Sequence, residues 1–336
     1  MTKNERITIV SIAKLDAIVV ETIKNRVGKE CVEIYKYLKP TRVSGLRRHL
    51  DCISLAFKVV RNREKFSGII FWQQFIGLYY NVLCYLFFFR NGPRAIILTV
   101  IYLKRKGILG KCYHYFYKIS FRSRHIDKLV CHSSSEKNYY LAQFGVDLNN
   151  RVIFCKLGEG LPLGKREEPA DDRYFFSGGS SNRDYRTLVK AFTGIKERLI
   201  IACKPENIDN TDIPENVTVK FDAYGSDFIN LISGAYAVIL PIADSNVSSG
   251  QLVLLNAMRF GKSTIVTSGN CMRDYIRREY AIEVPPNSVE KLKESVISLA
   301  ENPELNTSMS KNAFDYYNQN FSIDKYAGSI AEMLVK

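Results

Sequence analysis

The chain has 336 residues, 46% of them apolar and 24% charged, a globular balance that excludes disordered and fibrous classes. The length suits two domains of ordinary size. The net charge of +14 is uneven: residues 1–150 hold 26 Lys and Arg against 10 Asp and Glu, and residues 151–336 hold 22 against 24. Such asymmetry predicts two domains with different partners. A basic surface suits nucleic acid, anionic head groups or phosphorylated substrates.

The start of the chain, "MTKNERITIVSIAKLD", passes straight into a strand-like run, so no secretory signal is expected. The eight cysteines are scattered without a C-x-x-C pair, which predicts buried thiols in a reducing compartment rather than a zinc site or a disulfide framework.

"RITIVSIA" (6–13) reads as a first buried strand, followed by a helix over 15–28. Residues 66–90 are long and apolar enough to span a bilayer. Gln73, Gln74 and Asn81 interrupt them and Gly68 and Gly77 punctuate them, so a strand (68–72) entering a buried helix is expected. Residues 94–107 read as a strand and a basic loop, and 125–146 as strand, serine turn and helix. Alternating strands and helices predict a parallel sheet covered on both faces. The glycines, prolines and charges of 156–172 have linker composition. The pattern then restarts, with strands at 173–179, 199–203, 217–221, 237–242, 263–267 and 281–285 and a helix over 184–197. Asn287 stands three residues ahead of Glu290 in a capping-box variant, and 309–334 reads as an aromatic helical tail. The chain is therefore α/β, with two Rossmann-like domains.

Two turns are candidates for anion binding. "DSNVSSGQLVLLNAMRFGKSTIVT" (244–267) leaves a strand through a loop of small residues. Gly250 permits close backbone approach, and a helix follows over 251–260 until Gly261 stops it. A helix N-terminus beyond a parallel strand gathers unpaired N–H groups and partial positive charge, suited to a diphosphate. "SGGSSNRDYRTLVKAF" (177–192) repeats the pattern and adds Arg183, whose guanidinium can fork onto phosphate.

These residues resemble the carboxyl-terminal domain of GT-B glycosyltransferases of the glycosyl-transferases-group-1 family (family 4), bacterial polysaccharide type. The likeness runs from the glycine turn and "DYRTLVKAF" through "LIIAC" and "LISGAYAVILPI" to "LLNAMRFGKSTIVT", with "HSSSEKNYYLAQFGV" and "NQNFSIDKYAGSI" as outlying landmarks. It is good over 125–336 and poor over 1–120. It implies two Rossmann-like domains facing across a cleft: 1–160 for the acceptor, 161–318 for a nucleotide-sugar, and 319–336 as a helix packing back toward the first. The family usually carries two glutamates eight positions apart. Ser248 and Asn256 hold those positions here, so the carboxylate contacts to sugar and ribose that the resemblance implies are absent, and neither stereochemistry is assigned.

The implied reaction moves a sugar from a nucleotide-sugar to an acceptor hydroxyl, with charge building on the leaving diphosphate. The expected donor-binding residues are Gly178, Gly179, Ser180, Arg183, Lys204, Tyr224, Ser248, Ser249, Gly250, Gln251 and Asn256. Among them the N–H groups of Gly179, Ser249 and Gly250 and the side chains of Arg183 and Lys204 are expected to face the developing charge. The resemblance places the nucleobase near Tyr224–Phe228. Asp16, after the first strand, is the candidate general base of an inverting enzyme; His49, His114, His125 and His132 carry no motif. No D-x-D pair is placed for a metal, and neither metal nor cofactor is expected. Lys104, Arg105, Lys106 and Lys111, followed by Tyr113, Tyr115, Phe116 and Tyr117, suit anionic head groups or a lipid pyrophosphate. The expected setting is cell-surface polysaccharide synthesis, lipopolysaccharide or exopolysaccharide, on a lipid-linked or glycan acceptor at the inner face of the cytoplasmic membrane, without nucleic acid. The alternatives are a scaffold subunit lacking activity, a sugar-nucleotide epimerase, and a nucleic-acid-binding protein using the basic half, for which no helix-turn-helix, RNP or zinc signature is present.

Overall fold

The computed structural model describes residues 6–36, 45–159, 173–208, 211–244 and 247–335. The chain divides into two compact units, Met1–Cys155 with Ile323–Lys336, and Lys156–Ser322. The predicted boundary at 160/161 lies outside the described residues.

The first unit opens with strand β1 (Arg6–Ser11), helix α1 (Ala17–Val27), β2 (Glu30–Tyr35) and α2 (Gly45–Asn62). It continues with β3 (Gly68–Phe71), α3 (Gln74–Leu86), β4 (Arg94–Ile97), α4 (Gly107–Phe121), β5 (Lys128–Cys131), α5 (Ser134–Phe144) and β6 (Val152–Phe154). The second unit holds β7 (Tyr174–Gly178), α6 (Tyr185–Phe192), β8 (Arg198–Ala202), β9 (Val217–Lys220), α7 (Ser226–Ser233), β10 (Ala237–Leu240) and α8 (Gln251–Arg259). After β11 (Ser263–Thr267), β12 (Ala281–Val284), α9 (Val289–Glu301) and α10 (Pro303–Asn320), the chain returns to the first unit as α11 (Ile323–Val335).

Each unit is built on a parallel six-stranded sheet, in the orders β2-β1-β3-β4-β5-β6 and β12-β11-β10-β7-β8-β9. Helices cover both faces of such sheets, so the central strands are nearly continuous apolar runs. All four residues of β3 and of β10 are buried. Strand order reverses between β1 and β3 in the first unit and between β7 and β10 in the second. In open α/β sheets the crevice beyond the carboxyl ends of such strands is where ligands sit.

The apolar run 66–90 folds as β3 and α3, and its polar interruptions are all engaged. Gln73 and Gln74 accept from the backbone N–H groups of Ile12 (3.0 Å) and Ile101 (2.9 Å). Buried Asn81 donates to Ser120 and accepts from Ser123. Gly77 lets α3 close on β4, because a Cβ there would stand 2.5 Å from Ile97 Cγ1. Among the described residues no helix is long and apolar enough to cross a membrane.

Several local expectations are corrected. The helix expected over 184–197 stops at Phe192, because Thr193 leaves helical geometry and Gly194 turns left-handed at φ +75°. Ser288 caps α9 by accepting from Lys291 N–H, while Asn287 sits at φ +56° and caps nothing. The helical tail is made of the end of α10 and of α11, parted at Phe321–Ser322. Of the aromatics expected on a basic surface, Tyr117 is fully buried and Tyr113 stacks on buried Tyr102, which leaves Tyr115 exposed.

Candidate functional site

The reversal between β7 and β10 brings together the two turns singled out in the sequence. Leaving β7, the backbone passes Gly178 and Gly179 and reaches Arg183, which forms an isolated antiparallel bridge with Ile242 beyond β10. Asn182, at φ +56°, clamps the second loop, donating to Asp244 O and accepting from Asp244 N–H, both at 2.8 Å. Asp184 N–H donates to Pro241 O. The loops are therefore zipped together by polar contacts across more than sixty residues of sequence.

Arg183 is the centre of this zipper. Its Nε donates to Gly178 O (3.1 Å), and Nη1 donates to Ser181 O (2.7 Å) and Ser249 Oγ (2.9 Å). Ser249 Oγ in turn donates to Ser181 O. Both ends of the Ser249 hydroxyl are thus used inside the protein. Arg183 Nη2 has no partner among the described residues. A Cβ on Gly179 would lie 2.9 Å from it and one on Gly250 3.7 Å, so the guanidinium occupies space that two side chains would otherwise take. Both glycines have left-handed φ, +111° and +93°. Burial depresses the guanidinium pKa, but an arginine so placed stays charged at neutral pH.

The two helix ends differ, against the expectation that both receive anions. At the N-terminus of α6 the Asp184 carboxylate accepts from Thr187 N–H at 3.1 Å and sets a negative charge where an anion would sit. That of α8 begins at Gly250 with no side-chain cap and no acid in its first turn. Ser248 Oγ does not cap it and accepts from the Gln251 side chain instead. Among the described residues, the first-turn N–H groups of α8 have no side-chain cap and stand beside Arg183 Nη2. The expectation for the Gly179 N–H is also corrected: it donates to Ala202 O at 2.9 Å, extending the β7–β8 ladder, and is not available to a ligand.

The other predicted residues fall in different places. Gly178 packs under α7, where a Cβ would meet Phe228 Cζ at 2.5 Å. Ser180 is exposed, and its carbonyl accepts from Asn207. Lys204 is half exposed and pairs with Glu206 at 3.6 Å rather than turning into the zipper. Tyr224 is 62% exposed. A cavity of about 630 Å³ lies nearby, lined by Tyr174, Phe221, Asp222, Asp227 and Asn230, but neither glycine turn nor Tyr224 lines it. Asp16 is exposed and caps α1 by accepting from Ile18 N–H at 3.0 Å.

Asn256 sits in the middle of α8. Its Nδ2 donates to Leu252 O, leaving Oδ1 buried without a partner. One turn further on, sequence reasoning passed over Arg259. It is 2% exposed, and both Nη1 and Nη2 are buried and unpartnered. The signal available was an arginine closing a mostly apolar helix, "LLNAMRF".

In the first unit His132 follows β5 directly. Its Nδ1 donates to Cys155 O at 2.9 Å, which fixes the tautomer and leaves Nε2 to accept from Thr99 Oγ1 at 3.1 Å. Burial lowers its pKa.

Residues 168–316 match the family model described as Glycosyl transferases group 1. No curated protein matches the chain in sequence. Among solved structures, sucrose-phosphate synthase from Thermosynechococcus elongatus superimposes with a TM-score of 0.71 at 13% identity, over 98% of each chain. Anabaena Alr3699/HepE in complex with UDP-glucose gives 0.71 at 11% identity, over 98% of this chain and 99% of that one. A mutant of S. aureus TarM in complex with Fondaparinux, alpha-GlcNAc-glycerol and UDP gives 0.59 at 11%, over 86% of this chain and 59% of that one.

Proposed function

Starting from a chain that carries a glycosyl transferases group 1 domain and is a glycosyltransferase of the GT-B fold, we propose that its donor diphosphate binds at the start of α8 against Arg183. The observation that carries this reading is the guanidinium locked by Nε and Nη1 while Nη2 stays open beside an uncapped helix N-terminus. When the glycosidic bond breaks, negative charge accumulates on the leaving diphosphate. Donors already held in place stabilise that charge without reorganising. Gln251 and its neighbours in the first turn of α8 supply N–H groups, and Arg183 supplies a fixed cation. Asn256 Oδ1, buried and unpartnered, accepts a hydroxyl of the nucleotide ribose. The structures of HepE with UDP-glucose and of TarM with UDP support a uridine diphosphate sugar as the first donor to try.

The acceptor in this reading is a lipid-linked or polysaccharide glycan. It is supported by the basic first half of the chain, and by the TarM complex with glycan-like ligands. Asp16 is the candidate base that takes the acceptor proton.

Thermal denaturation with UDP, GDP, TDP, CMP and NAD tests the donor site. One nucleoside diphosphate should stabilise the protein, by about 2.7 kcal/mol at a hundredfold excess over Kd. Arg183→Ala should abolish the shift. Ser249→Ala loosens the zipper but keeps Nη2, and should retain most of it. No shift with any nucleotide would overturn the site.

A further inference from the structure

Residues 65–126 contain no Asp or Glu and ten Lys or Arg. Within them, the backbone turns sharply before α4. A Cβ on Gly110 would lie 2.3 Å from Arg105 O, so this glycine lets the loop fold back onto the first helical turn. At the tip of the turn Ile108 and Leu109 are 80% and 84% exposed, next to exposed Leu103, Lys104, Arg105 and Lys106. Further along the same side of α4 come exposed Lys111 and Tyr115, the latter 63% exposed. Three cations precede a helix N-terminus that has no side-chain cap and no acid in its first turn. That arrangement opposes the helix dipole and favours an incoming anion. Apolar residues presented at a tip within a cationic collar fit a surface with anionic head groups above hydrocarbon.

Resting on the reading of this protein as an enzyme of membrane-linked glycans, we propose that the Leu103–Leu109 turn and the outer face of α4 are a membrane-insertion element. Ile108 and Leu109 enter the acyl boundary of an anionic bilayer, Lys104, Arg105, Lys106 and Lys111 meet the phosphates, and Tyr115 lies at head-group depth.

The test is cosedimentation of the full chain with phosphatidylcholine vesicles, with and without phosphatidylglycerol. The wild type should bind the anionic vesicles at low salt and the neutral ones far less. Ile108→Asp with Leu109→Asp should lose at least about tenfold in partitioning even at low salt. Lys104→Ala, Arg105→Ala and Lys106→Ala together should lose about fivefold per cation, with the residual binding less dependent on salt than that of the wild type, because Lys111 remains. Phe88→Ser is the control: Phe88 is 87% exposed elsewhere in the same unit, and its replacement should change nothing. Absence of vesicle binding by the wild type, equal binding to neutral vesicles, retention in the double aspartate variant, or an equal loss in Phe88→Ser would overturn the proposal. The nucleotide-dependent melting shift, measured on the same variants, should stay intact and reports on the donor site separately.

Discussion

At the scale of single residues, the second unit holds polar atoms that folding alone does not explain. Asn256 Oδ1 is buried without a partner, which costs about 1–3 kcal/mol. Asn256→Ala should therefore leave the ligand-free melting temperature unchanged or raised, while weakening nucleotide stabilisation. A fall in both would make Asn256 merely structural. Arg259 is a stronger case, with two buried unpartnered nitrogens. Arg259→Met keeps the aliphatic volume and removes an uncompensated charge. It should stabilise the free protein, each kcal/mol appearing as about 2–4 °C in differential scanning calorimetry. Two histidines of the first unit set an acid limit. Burial lowers the pKa of His132, and burial followed by Arg124 and Arg63 lowers that of His125. Between the ordinary value near 6.5 and the lower native values, the unfolded chain binds more protons than the native one. Stability therefore falls as pH falls through that window, by up to about 1.4 kcal/mol per pH unit for each histidine. Melting curves from about pH 7 down to about pH 5 should show this slope, and His125→Phe should flatten it.

At the scale of elements, close approaches decide which sequence features matter. Gly77→Ala pushes a methyl group to within 2.5 Å of Ile97 and should cost about 1–3 kcal/mol of first-unit stability without touching nucleotide binding. Urea melts with and without nucleotide separate those two effects. The strands were legible in the sequence because parallel strands buried on both faces are short apolar runs, as in "GIIF" and "AVIL". The two glycine turns were legible because only small residues fit where Arg183 lies. The bonds that join them were not legible. Ser249 and Arg183 stand 66 residues apart, and nothing local announces that the serine hydroxyl is consumed by the arginine. The same holds for Gly179, whose N–H looks free in a glycine turn but extends a sheet ladder to Ala202. Asp184 was read as the start of a helix, yet its own carboxylate closes the end that looked open.

At the scale of the whole molecule, the first unit is assembled from both ends of the chain. Helix α11 buries Tyr326, Ala327, Ile330, Ala331 and Leu334. Leu334 packs against Gly68 of β3, with Cδ2 3.1 Å from where a Cβ would stand, and its carbonyl accepts from Arg94. Tyr326 meets the rings of Trp72 and His132. Removing residues 323–336 withdraws apolar burial of several kcal/mol, about 1.5–3 for each large side chain. The melting transition of the first unit should drop, and that of the second should keep its nucleotide response.

The split of the first unit also fixes an order in time. Every residue of the second unit leaves the ribosome before α11 does, although most of the first unit is made earlier. At synthesis rates of ~5–20 residues per second, the first unit, complete but for α11, waits about ten to thirty seconds for its last helix. The surface α11 will cover, including β3 and the Trp72 ring, stays bare for that interval. The later half of the gene product folds to completion first, and the interval is when a holding chaperone has most to bind.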